Sequence, residues 1–107
     1  MYEVFWTKQA KKDHCRISRS NVCAKRLIEI LNVVRKNPFE ETPGHDFEKL
    51  KNYKPSTYTR RLDYTNRFVY TIIDNLEEVK NLCGASYDGV VVIHRMWGHF
   101  PPLRKRG

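Results

Sequence analysis

Glu48, Arg60, Arg61, Arg67 and the pair His99-Phe100 are the residues of this sequence with chemistry to offer. They are a carboxylate in a long loop, three guanidiniums in a hairpin, and an imidazole beside an aromatic ring where the last strand ends. No GxGxxG, P-loop or nucleophile elbow occurs, so nucleotide-cofactor and serine-hydrolase chemistry have no support. His94 and His99 are five apart with no cysteine at zinc spacing, which predicts no metal and no cofactor. RNA carries its own nucleophile, the 2′-OH beside each phosphate. Cleaving it takes a base for that proton, an acid for the departing 5′-oxygen, and cations for the charge that builds up between them. Glutamate, histidine and arginine fill those roles without a metal. On residue types alone this is one of several readings. A plain nucleic-acid-binding module is another, because the hairpin offers Tyr58, Tyr64 and Tyr70 for base stacking.

The segment 57–74, TYTRRLDYTNRFVYTIID, must hold the arginines. Its β-branched and aromatic residues fit two strands, and Asp63-Tyr64-Thr65-Asn66 fits the turn, with Asn66 able to adopt a left-handed backbone. Side chains alternate with period 2. A three- or five-residue loop therefore puts Arg61 and Arg67 on one face; a two- or four-residue loop puts them on opposite faces. Two guanidiniums on one face make a phosphate site. The residues before the hairpin predict a first strand over 2–6 and a short basic helix from Lys8, capped by Thr7. A second helix follows, capped by Ser20, in which Cys23, Leu27, Ile30, Leu31 and Val34 recur at helical spacing. Pro38 ends it near Lys36. Residues 37–56 form a long connection, pinned by Phe39, Phe47 and Leu50, that carries Glu48 and Lys51. The segment 75–89 reads as a polar link with room for a helical turn at 76–82. Val90 to Ile93 is apolar on both faces, so the last strand belongs in the middle of the sheet. These elements predict an α+β fold. An N-terminal strand and an antiparallel helix pair pack on one face of a small antiparallel sheet, and the other face is left for a site.

With 107 residues the chain reads as one domain, and residues 101–107 read as a loose basic tail. No apolar run approaches a membrane span, and the N-terminus has no signal-peptide pattern. Cys15, Cys23 and Cys83 are scattered, which suits a reducing cytosol better than a disulfide frame. Twenty basic residues against 12 acidic ones leave a net charge of +8, which points to a polyanionic partner. The excess is concentrated in the helix pair, where the only carboxylates between Lys8 and Lys36 are Asp13 and Glu29.

Read in order, Phe5-Trp6-Thr7, Asn37-Pro38-Phe39-Glu40, Phe47-Glu48-Lys49-Leu50-Lys51, Arg60-Arg61, Asn66-Arg67-Phe68-Val69-Tyr70 and Gly98-His99-Phe100 resemble the YoeB/Txe toxins of the RelE superfamily. The resemblance runs from Tyr2 to Phe100. It implies a metal-independent endoribonuclease toxin that cleaves mRNA on the ribosome and is neutralised by an acidic YefM/Phd-type antitoxin; a homodimer is a further assembly it allows. Glu48 matches the general base of that family, Arg67 the phosphate-stabilising arginine and His99 the general acid. Lys51 and Arg61 match its substrate-binding cations. Where the family ends in His-Tyr, this chain has His99-Phe100, which keeps a ring for stacking and lacks the hydroxyl. The segment 75–89 is longer than usual, and Trp97 and the tail are atypical. The alternative on the same scaffold is a non-catalytic ParE-like toxin that binds and blocks a protein target such as gyrase. A base and an acid converging on the arginines would discriminate the two.

Overall fold

The computed structural model describes residues 1–97. Residues 98–107, and with them His99, Phe100 and the basic tail, lie outside the described residues. Strand β1 (Tyr2–Trp6) leads into helices α1 (Lys8–Ile17) and α2 (Asn21–Lys36). Strands β2 (Glu48–Leu50), β3 (Thr57–Arg61) and β4 (Arg67–Ile73), helix α3 (Leu76–Cys83) and strand β5 (Gly89–Arg95) follow. The strands form one sheet in the order β1-β5-β4-β3-β2.

Local chemistry sets most of these boundaries. The Thr7 hydroxyl accepts from the Ala10 amide at 3.1 Å and donates to the His94 carbonyl at 3.2 Å, so one side chain starts α1 and ties it to β5. Ser20 caps α2 through the Cys23 amide at 3.3 Å. Asn37, ahead of Pro38, is extended at φ −154°, and α2 stops there. Asn75 caps α3 through the Glu78 amide at 3.1 Å, with Glu77 and Glu78 facing the positive end of the helix. The link 75–89 thus holds a full short helix rather than a single turn. Gly89 opens β5 where a Cβ would lie 2.7 Å from the Ile73 carbonyl oxygen and from the Tyr2 ring, so no side chain fits.

The sheet is mixed, which corrects the all-antiparallel expectation. β2, β3, β4 and β5 pair antiparallel, but β1 runs parallel to β5, Tyr2 opposite Gly89 and Trp6 opposite Ile93. No hairpin joins these two strands, so no turn dictates their direction, and everything else in the fold lies between them in the chain. β5 is flanked on both sides, as its two-sided apolar run requires. One face of the sheet carries Tyr58, Phe68, Tyr70, Val91 and Ile93, which form one core with Ala10 and Ile17 of α1 and Cys23, Leu27, Ile30 and Val34 of α2.

Asp13 is the unforeseen member of that interface. It sits on α1 with 1% of its surface exposed. Its carboxylate accepts from Gln9 at 2.8 Å and from the Met96 and Trp97 amides at 2.9 and 3.3 Å. A buried carboxylate survives only when its lone pairs are used, and here they fasten the chain just beyond β5. Asp13→Ala should destabilise the fold by about 2–3 kcal/mol, because it strands the buried Met96 amide and the part-buried Trp97 amide as well as losing charged hydrogen bonds. Urea unfolding would read this as a lower midpoint; an unchanged midpoint would mean that water replaces the carboxylate at no cost.

Candidate functional site

The loop between β3 and β4 is five residues long, and Arg61 lies directly opposite Arg67. Both guanidiniums therefore leave the same face of the sheet, the face away from the helix pair. Asp63 holds the turn by accepting from the Thr65 and Asn66 amides at 3.0 and 2.8 Å. Asn66, although able to adopt a left-handed backbone, does not use it here; among described residues other than glycine, only Asp46 and Asn52 have positive φ. The Cys23 thiol also donates to Asp63, at 3.1 Å, so α2 is tied to the same turn. Burial first, then the neighbouring carboxylate, pushes that thiol's pKa up, which keeps it protonated and inert.

Arg67 is 7% exposed and almost saturated. Its Nε and one terminal nitrogen donate to the Thr59 hydroxyl at 3.2 and 2.7 Å. Its other terminal nitrogen donates to the Asp46 carboxylate at 2.8 Å, and the Asp46 carbonyl accepts a further bond at 2.8 Å. Glu48 Oε1 lies 3.6 Å from the same guanidinium. Glu48 reaches that position because β2, a three-residue strand inside what reads as an unbroken loop, pairs it with Thr59. Arg61, half-exposed, donates to the same Asp46 oxygen at 3.1 Å. The hydrogen bond from Arg67, then that from Arg61, holds the Asp46 carboxyl below the usual carboxylate range, so it is ionised at neutral pH. Glu48, Arg61 and Arg67 are thus brought together. Lys51 lies in the exposed turn beyond β2, among the residues that line a shallow cleft with Tyr53 and Lys54. His99 and Phe100 fall outside the described residues.

Arg60 does not join them. It points to the core face and is fully buried. Its nitrogens donate to the Tyr70 hydroxyl at 3.0 Å and to the Pro38 and Glu40 carbonyls at 3.3 and 2.6 Å, and one lies 3.0 Å from His45 Nδ1. The Phe47 ring covers it at 4.5 Å. This guanidinium nails residues 38–47 to the sheet and so fixes where Asp46 and Glu48 emerge.

Beside the arginine pair the same face sinks into a cleft of about 340 Å³ lined by Leu50, Pro55, Val69, Thr71, His94 and Arg95. The Thr71 hydroxyl is 3.0 Å from His94 Nε2, and Arg95 Nε is buried with no hydrogen-bond partner among the described residues. The lining is apolar at Leu50, Pro55 and Val69 and polar at Thr71, His94 and Arg95. No cluster of three or more metal-ligating side chains occurs among the described residues.

Reading the sequence missed Asp46, Thr59 and His45. The signal for Thr59 was present in Thr57-x-Thr59-x-Arg61, an alternation that makes one face of β3 polar. Asp46 had no such signal, because its role depends on a loop conformation.

No family model matches the sequence, and no curated protein matches it. Solved structures do. A chain of the YoeB–YefM complex from Staphylococcus aureus is 25% identical, with a TM-score of 0.65 over 94% of this chain and 99% of that one. A YoeB/ParE toxin from Agrobacterium tumefaciens superposes at a TM-score of 0.70 with 16% identity, covering 92% of this chain and 99% of that one. A chain of the E. coli DinJ–YafQ complex gives 0.67 with 10% identity, over 92% and 94%. The α+β architecture is that of YoeB/RelE-type toxins, as the sequence motifs imply.

The His45 contact makes stability depend on pH. Burial, then the Arg60 and Arg26 charges, holds the imidazole below the usual histidine range, so it is neutral and Nδ1 accepts from Arg60. Burial does the same to His94. Unfolded histidines take up protons near pH 6.5 while these resist, so stability should be full above about pH 7 and fall as the pH drops through about 6.5 towards 5. His45→Gln should lose less stability over that interval, measured by chemical denaturation at several pH values. An identical slope would mean that the ring is not held neutral.

Proposed function

We propose that the protein is the toxin of a toxin–antitoxin pair and acts as an endoribonuclease on ribosome-bound mRNA. The observation that carries this is the carboxylate of Glu48 beside Arg67, on a face that also presents Arg61. Glu48 takes the proton from a 2′-OH, and the freed oxygen attacks the adjacent phosphorus. Arg67 and Arg61 stabilise the extra negative charge on the five-coordinate phosphate. His99, whose ordinary pKa of about 6.5 suits proton donation near neutrality, protonates the departing 5′-oxygen. The products are a 2′,3′-cyclic phosphate and a 5′-hydroxyl; no metal is needed to balance the step. Phe100 stacks on a base, Lys51 holds a flanking phosphate, and the cleft at Val69, Thr71 and Arg95 receives a neighbouring nucleotide. The basic helix pair meets ribosomal RNA, where phosphate contacts dominate affinity.

The partner proposed is an acidic antitoxin of YefM/Phd type in the cytosol, consistent with the YefM complex of the Staphylococcus aureus YoeB. The ParE-like alternative, a pure protein-blocking role, needs no base and acid acting together, so loss of activity in both Glu48→Gln and His99→Gln separates the two readings.

Cleavage is tested in single-turnover reactions on programmed ribosomes. Glu48→Gln and His99→Gln should each slow it by about 10²–10⁴-fold, the usual share of a general base or acid. Phe100→Leu should slow it about five- to a hundredfold by losing a stacked ring, and Phe100→Tyr should stay near wild type. A product ending in a 3′-hydroxyl, or full activity in Glu48→Gln, would overturn the mechanism. Antitoxin association should weaken steeply from about 50 to 500 mM salt, since a charge of +8 steers it; a salt-independent affinity would show that the cationic face is not the interface.

A further inference from the structure

Asp46 stands where a bound phosphate would stand. One of its carboxylate oxygens accepts from Arg61 at 3.1 Å and from Arg67 at 2.8 Å. A carboxylate oxygen shared by two guanidiniums is in the position an oxygen of a phosphodiester would take between them. The geometry points to Asp46 as an internal counterion that occupies the phosphate position of the free protein and must be displaced by substrate, which makes it a specificity-determining residue for the site. The inference rests on reading Arg61 and Arg67 as the phosphate site.

The construction of the loop lets the side chain leave without the backbone. The Asp46 carbonyl is held by Arg67 at 2.8 Å, and the His45 carbonyl accepts from the Arg61 amide at 2.6 Å. Arg60 anchors His45 from the other face. The peptide is therefore pinned on both sides of Asp46, at a left-handed φ of 50° that aspartate tolerates better than most residues. The carboxylate itself is half-exposed and, among the described residues, has no donor besides the two arginines. Rotation about its own side-chain bond carries it into water and frees one terminal nitrogen of each guanidinium. Glu48 stays beside Arg67 through its pairing in β2.

The consequence is selection by valence. A small anion offers the arginines little more than Asp46 already does, and it gives up its hydration to do so. An RNA strand brings flanking phosphates to the surrounding cations, so exchange at Arg61 and Arg67 is only one of several contacts it gains. Asp46 thus keeps the site closed to phosphate and mononucleotides and open to a chain.

The test is binding, with cleavage blocked. The probes are an RNA hexamer bearing 2′-O-methyl groups throughout and, separately, inorganic phosphate. Asp46→Asn keeps the shape and removes the charge; it should bind the hexamer about tenfold more tightly than wild type at about 150 mM salt. It should also take up phosphate at concentrations that leave wild type empty. Glu77→Gln removes the same charge from the exposed face of α3, and should change hexamer affinity less than about twofold. In an Arg61→Ala background the gain from Asp46→Asn should shrink, because half the fork is gone. Asp46→Ser serves if the amide variant does not fold. Equal gains from Asp46→Asn and Glu77→Gln, or tighter phosphate binding by wild type, would overturn the assignment. If no variant binds the hexamer, the RNA reading fails, and the phosphate titration alone still decides whether Asp46 occupies the site.

Discussion

A guanidinium buried to the last atom in the core face of a sheet is a large cost that needs a structural reason. Arg60 supplies one. Its donors reach the Tyr70 hydroxyl, His45 and the carbonyls of Pro38 and Glu40, and the Phe47 ring lies over its plane. None of these partners carries an opposite charge. What offsets desolvation is the number of acceptors in fork geometry and the ring that screens them. The Tyr70 hydroxyl donates to the Pro38 carbonyl at 2.6 Å, so the network closes on itself. Its effect is to turn a long irregular segment, rich in proline and charge, into a rigid strap. Without that strap neither Asp46 nor Glu48 has a defined place.

The period of the β-strand then divides the work between neighbouring residues. Arg60 faces the helices and holds the strap; Arg61, one residue later, faces the opposite way and presents a cation. Phe68 fills the core, while Arg67 and Val69 face the site. The direction of each arginine follows from the five-residue loop 62–66, which sets Arg61 against Arg67. Asp63 stabilises that loop from within and accepts from the Cys23 thiol, so the helix pair is tied to the turn that sets the arginine pair.

The electrostatics of the site run against the bulk charge. The chain carries +8, yet the most buried cation on the open face, Arg67, lies against two carboxylates. The unbalanced positive charge sits on the exposed lysines and arginines of α1 and α2. The arginine pair is locally balanced, which keeps a desolvated charge from destabilising the free protein. Unbalanced and balanced charge are therefore carried by different residues.

Elements whose causes are local were legible in the chain. Thr7 and Ser20 begin helices because their hydroxyls meet the next free amides, and Pro38 ends one because it forbids a helical Asn37. Val90 to Ile93 read as a central strand because both faces are apolar. The family motifs located Glu48, Arg61 and Arg67 and left their geometry open. Tertiary structure decided what depended on partners distant in the chain. β2 has three residues and no alternating pattern, so only its pairing with β3 makes it a strand. The parallel match of β1 with β5 joins the two ends of the fold without a turn to announce it. Asp13 looks like a surface residue of a basic helix until the end of β5 brings two amides to it. Arg60 and Arg61 are adjacent and chemically identical, and a single alternation of the pleat makes one a buried fastener and the other an exposed cation. Asp46 acquires its role only when a strap anchored by Arg60 delivers it between two guanidiniums, because an ion pair is a property of position in space and the chain encodes that position through contacts made elsewhere.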